Sequence, residues 1–111
     1  MTTDVTPADV TFNRDGIWLT AMLRPVGELA GRAIDRFVDD VVALAQRANI
    51  VVVNLVGATV PSPEALARAL RRPGEMLSAP DRALLLVGAG EPLLRALRRL
   101  GGDVATVPSL A

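Results

Sequence analysis

Few side chains in this sequence can do chemistry. Its 111 residues include no His, no Cys and no Tyr, and every basic residue is Arg. Without His, the commonest general base and metal ligand is gone. Without Cys there are no disulfides, thiolate metal sites or thiol nucleophiles. Carboxylates, Arg, Ser and Thr remain. Asp39 and Asp40 are adjacent, but neighbouring helix positions point different ways, so they read as surface charges and not as an acid–base pair. Gly88-Ala89-Gly90 precedes a helical segment, where a glycine turn can cradle a phosphate. It lacks both the G-x-G-x-x-G spacing and any Lys, and reads as a plain strand-to-helix turn. No catalytic residue, metal or cofactor is expected, and the chain does not read as an enzyme.

Other groups suit binding better. In Ser62-Pro63-Glu64 a hydroxyl precedes a proline and an acid, the signature of a helix start with Ser62 as N-cap. The alternative for Ser62 is a phosphate acceptor. Glu64 reads as a first-turn acid favoured by the helix dipole, or else as a standing mimic of phosphate. Arg68, Arg71 and Arg72 form one triplet, and Arg95, Arg98 and Arg99 another. Such faces are ordinarily solvated; the sharper reading is a surface for an acidic partner. Trp18 reads equally as core filler, sheet cover or interface anchor.

The elements that position these residues follow from periodicity. Val10–Phe12 reads as a short strand, turned by Asn13-Arg14-Asp15-Gly16, whose Asp-Gly is a hairpin signal. Ile17–Leu23 alternates, with Ile17, Leu19, Ala21 and Leu23 on one face. From Gly31 to Ala48 the apolar period becomes helical, through Ile34, Phe37, Val38, Val41, Leu44 and Ala45. Ile50–Leu55 is a β-branched run suited to a strand buried on both faces. Gly57–Pro61 reads as a loop, 63–72 as a helix broken by Pro73-Gly74, and Ala83–Val87 as a second buried strand. The last helix covers 91–100 with Leu93, Leu94, Leu97 and Leu100 inward; Gly101-Gly102 caps it, and Val104–Val107 is a short final strand. Residues 1–9 read as a flexible N-terminus and 10–111 as one domain. The alternation predicts an α/β fold: a mixed, mainly parallel sheet of four to five strands with amphipathic helices.

Composition bounds the partners. Twelve Arg balance twelve acids, so no broad field draws nucleic acid or a membrane surface. The first twenty residues lack a basic then apolar leader pattern, and no apolar run is long enough to span a bilayer. A cytoplasmic domain is expected. Arg without Lys, beside abundant Ala, Val and Gly, suggests a GC-rich bacterial coding sequence.

In this order the segments resemble the STAS domain, the family of anti-sigma factor antagonists and sulfate-transporter C-terminal domains. Val26-Gly27-Glu28-Leu29 is similar to the family's V-x-G-E-L-D segment before its first helix. Ile50 through Val60, reading IVVVNLVGATV, is similar to its V-V-L-D-L-S-G-V-T-F strand and loop. Ala83–Val87 followed by GEPLLRAL from Gly90 resembles its next strand and short helix. The resemblance runs from about Trp18 to Leu110.

It implies a STAS-like fold and a regulatory module that binds a protein. The implied partner is a kinase-like anti-sigma factor or another STAS protein, a homodimer included. An alternative role is the accessory subunit of a membrane transport ATPase. In the family, a Ser in a D-S-x-G segment at the start of the second helix is phosphorylated by the partner, and the added charge breaks the complex. That segment falls on Ser62-Pro63-Glu64-Ala65, so the acceptor position is Pro63, which has no hydroxyl. The Asp after G-E-L is likewise replaced, by Ala30. The usual phosphorylatable Ser is therefore expected to be missing. The partner-facing surface is expected to include Gly57, Thr59, Ser62, Pro63, Glu64, Arg68 and Arg72.

Overall fold

A computed structural model describes residues 9–100 and 104–107. Residues 1–8 of the expected flexible terminus, the Gly101-Gly102 cap and Leu110 lie outside the described residues.

The chain opens on a hairpin of β1 (Asp9–Asp15) and β2 (Trp18–Arg24). Asp15 pairs with Trp18, leaving Gly16-Ile17 as a two-residue turn. Gly16 has a φ of 64°, the left-handed backbone that primed hairpin turns require. The turn thus sits one residue later than the Asp-Gly signal suggests. Ile17, expected on the strand face of Leu19, Ala21 and Leu23, is a turn residue and 82% exposed. A short β3 (Gly27–Glu28) comes next, then α1 (Arg32–Ala45), β4 (Ile50–Asn54), β5 (Ala58–Thr59), α2 (Pro63–Ala69), α3 (Arg71–Met76), β6 (Ala83–Val87), α4 (Glu91–Leu100) and β7 (Ala105–Val107).

The main sheet runs β1-β2-β4-β6-β7. β2, β4, β6 and β7 are mutually parallel, and β1 is antiparallel at the edge. This is the mainly parallel five-stranded sheet that the alternation predicts, with Ile50–Asn54 at its centre. Register aligns Ala21, Val51 and Leu84 in one row, and Leu23, Val53 and Leu86 in another. These six residues share a single buried cluster with Ile34, Phe37, Val41 and Leu44 of α1, Leu66 of α2, and Leu93, Ala96 and Leu97 of α4. Alternate strand residues point to opposite faces, so the helices cover one face of the sheet. Val52 and Val87, of the opposite parity, are buried outside that cluster.

The structure corrects three expectations. Pro73-Gly74 does not end a helix; both residues lie inside α3 and are buried. A first α-helical turn needs no intrahelical N–H partner, so Pro is tolerated there. A fresh helix beginning at Arg71 places Pro73 in that turn, while Gly74 N–H donates to Leu70 C=O at 2.9 Å. The segment 57–61 is also not all loop, because Ala58–Thr59 forms β5. Helix α1 stops at Ala45, three residues short of the expected end, and the Arg82 guanidinium donates to the Ala45 carbonyl at 3.1 Å.

If the helices cover one face only, burial should translate into unequal costs along β6. Leu86→Ala, fully buried under the helices, should cost about 2–5 kcal/mol in denaturant unfolding. Leu85→Ala, half-buried on the other face, should cost less than half as much. Equal losses would contradict the one-sided layering.

Candidate partner-binding surface

The loops after β2 and β4 meet at one end of the sheet. Asn54 closes β4, and its side-chain oxygen accepts the Val56 N–H at 3.0 Å. Leu55 is buried, with its N–H donated to Val87 C=O at 2.8 Å. Val56 then turns outward, 71% exposed. Gly57 C=O accepts the Gly27 N–H at 3.1 Å, and Thr59 C=O accepts the Leu29 N–H at 2.8 Å. Together with the parallel register of Gly27 on Ala58 and Glu28 on Thr59, these bonds make a second, two-stranded sheet. Two segments that carry the family resemblance, 26–29 and 57–60, are therefore paired in space. The sequence contains both, but their pairing is long-range and has no local signal.

Ser62 takes the position its type predicts. It is the N-cap of α2, with an extended φ of −125°, and its Oγ accepts the Ala65 N–H at 3.4 Å. Pro63 is next, in the first turn and half-buried, and Glu64 is exposed. Glu64 is ion-paired with Arg99 of α4. Sequence reasoning keeps these two charges apart, since 35 positions separate them; the packing of α2 on α4 brings them together. Both side chains are more than half exposed, so the pair adds little stability.

Arg68 and Arg72 are exposed, and neither makes a salt bridge among the described residues. Arg68 borders a shallow depression between α1 and α2 that also includes Ile34 and Asp35. The seven residues expected at the surface are distributed over three elements. Thr59 lies in β5 with Gly57 just before it, Ser62 to Glu64 form the cap and first turn of α2, Arg68 lies in the last turn of α2, and Arg72 in α3.

Beside the start of α2 is a cleft of about 320 Å³. Val56, Val60, Pro63, Pro92 and Leu93 line it with the Gly88–Gly90 turn. Gly88 has a φ of 77°, and a Cβ there would stand 2.9 Å from Val56 Cγ2. The left-handed backbone of the turn is what favours glycine here, since the exposed Val56 side chain can turn aside. The side chains lining the cleft are apolar and none is titratable, while backbone groups contribute much of its polar surface. Among the described residues no group of three or more acidic, His or Cys side chains could hold a metal ion. No helix among them is long and apolar enough to cross a membrane.

Away from this end, Asp39 and Asp40 are exposed on α1. Partial burial raises the Asp40 carboxyl above the usual range, and the neighbouring Asp39 charge adds to that. Trp18 is exposed, at 40%, so it is not core filler.

No family model matches the chain, and no curated protein matches it. Among solved structures it is similar to the anti-sigma factor antagonist SpoIIAA in its unphosphorylated form. The TM-score is 0.63, over 91% of this chain and 89% of that one, at 13% sequence identity. Identity at this level leaves the likeness as one of fold. The fold is the STAS fold that the sequence resemblance implies.

Substitutions at two positions probe the local chemistry. Ser62→Ala should destabilise by about 1 kcal/mol through loss of the cap, and Ser62→Asp should restore most of that; equal stability of all three would mean the cap is not used. A carboxyl whose folded pKa is raised takes up its proton more readily when folded, so ionised Asp40 opposes folding at neutral pH. Asp40→Asn should therefore raise the melting temperature at pH 7, with the gain shrinking as pH falls through the carboxylate range.

Proposed function

We propose that this chain is a protein-binding regulatory module of the anti-sigma factor antagonist type that works without the usual phosphoserine switch. The likeness of fold to an anti-sigma factor antagonist carries this reading. The partner is a kinase-like anti-sigma factor or another STAS chain. The surface runs from Gly57 to Leu70, with Arg68 and Arg72 at its margin and exposed Val56 at its tip. An exposed apolar tip with Arg68 and Arg72 at its margin, neither in a salt bridge among the described residues, suits a protein surface better than a small polar ligand.

The missing switch rests on two residues. Pro63 occupies the aligned acceptor position and offers no hydroxyl. Ser62, one residue earlier, has its hydroxyl engaged as the cap of α2. Phosphate on Ser62 would add about 1.5 to 2 negative charges close to the Glu64 carboxylate, which repels it. The complex is therefore insensitive to ATP.

Reversing Arg68 and Arg72 to Glu should weaken partner capture roughly tenfold or more, as expected for losing interfacial charge pairs. Folding stability should change by no more than about 0.5 kcal/mol, because both positions are exposed surface. Unaltered capture by that variant would move the interface elsewhere. Incubated with ATP and the captured partner, the protein should remain unmodified. The triple variant Ser62→Asp, Pro63→Ser, Ala65→Gly should gain phosphate at position 63. Phosphate found on Ser62 of the unaltered chain by mass spectrometry would overturn the switchless reading.

A further inference from the structure

The first hairpin is unusual for where it leaves its apolar side chains. Six large hydrophobic residues are exposed among the described residues, and four of them are Val10, Phe12, Ile17 and Trp18. Among the described residues β1 hydrogen-bonds only to β2, and it forms the end of the sheet. A two-residue turn closes on a hydrogen-bonded pair, here Asp15 with Trp18, and hydrogen-bonded and open pairs alternate from there. Thr11 and Asn13 therefore direct their backbone groups to β2. Val10, Phe12 and Arg14 aim theirs outward, away from the sheet. β1 is seven residues long and exposed from Val10 onward. Natural sheets usually blunt such an edge with Pro, a bulge or a charged residue, Lys above all; this stretch has only Arg14 between its ends.

We propose that this edge pairs with the β1 of a second copy, antiparallel about a twofold axis, to join two five-stranded sheets into one. Self-complementarity selects a second copy over an unrelated strand. Copies related by a twofold perpendicular to the sheet keep the same face up, so opposed residues must have equal parity. With Thr11 opposite its own copy, Val10 meets Phe12 of the second copy on both sides of the axis. Apolar cross-strand pairs of this kind favour a sheet. The neighbouring register, with Phe12 on its own copy, would set Val10 against the charge of Arg14. Val10 and Phe12 pair with Leu23 and Ala21, so they lie on the helix-covered face, where Arg47 stacks over the Phe12 ring at 5.0 Å. The contact uses one lateral edge, separated from β6 by β2 and β4, and leaves the loops after β4 and the start of α2 uncovered. Its small area makes a weak, concentration-dependent dimer.

Sedimentation equilibrium over a rising concentration series reads this directly. The unaltered chain should move from single to double mass. Thr11→Lys sets two ammonium groups face to face on the axis and should hold the protein at single mass with an unchanged circular dichroism spectrum. The chain has no Cys of its own, so oxidation gives a second, independent reading. Thr11→Cys should cross-link, because open antiparallel pairs bring Cβ atoms to about 4.5–5.5 Å. Asn13→Cys should not, since its copies stand about 14 Å apart along the strands at ~3.4 Å per residue. A chain that stays at single mass throughout, a dimer indifferent to Thr11→Lys, or cross-linking at position 13 and not 11 would overturn the proposal. So would a monomer whose edge is filled by an extended segment of a different protein.

Discussion

The central strand β4 sets the terms for every other element. Val51 and Val53 are fully inaccessible on the helix-covered face, and Val52 is buried on the other. A strand apolar on both faces has no stable place at a sheet edge, so β2 and β6 must flank it, and its backbone groups are taken up on both sides. The chain has to enter and leave this strand without orphaning polar groups, and an Asn stands at each end. Asn49 exchanges bonds with Leu19: its N–H donates to the Leu19 carbonyl at 2.8 Å, and its side-chain oxygen accepts the Leu19 N–H at 3.0 Å. Its carbonyl accepts from Ala83 on the other side. Asn54 does the corresponding work at the exit by accepting the Val56 N–H.

The segment downstream of β4 stays hydrogen-bonded to its neighbours. Leu55 is still pinned to Val87, and Gly57 takes up the Gly27 N–H, so the chain runs on alongside β3. The small β3–β5 sheet then delivers it to Ser62 and the start of α2. Ser62 serves as the N-cap of that helix. Pro63 in the first turn is pre-set for the helix and gives up only an N–H that had no intrahelical partner. In physical terms, the residues at this helix start serve its stability, which fits the proposed binding role without a phosphate switch.

The fold is largely legible in the sequence because its strongest signals are local and periodic. The β-branched run at 50–54 and the three-and-four spacing from Ile34 to Ala45 leave little freedom, and Ser62-Pro63 marks a helix start by capping chemistry alone. Legibility fails where tertiary contact outweighs local preference. Pro73-Gly74 reads as a breaker, yet a fresh start after Leu70 turns it into the opening of α3. Ile17 matches the alternation of β2 but falls in the turn that Gly16 makes possible. At the candidate site, single residues are readable and their companions are not. The cap by Ser62 is a contact three residues long, whereas Glu64 with Arg99 and Gly57 with Gly27 depend on crossovers that no local pattern encodes.

The central claim is that partner binding is carried by the end of the sheet where β4 gives way to α2. Hydrogen exchange of the chain, free and in complex with a partner captured from its source cell, tests this most directly. Amides between Val56 and Leu66 should exchange more slowly in the complex, with the amides of β4 itself unchanged because they are already protected. Unchanged exchange from 56 to 66, with new protection along the outer faces of α1 or α4, would contradict it.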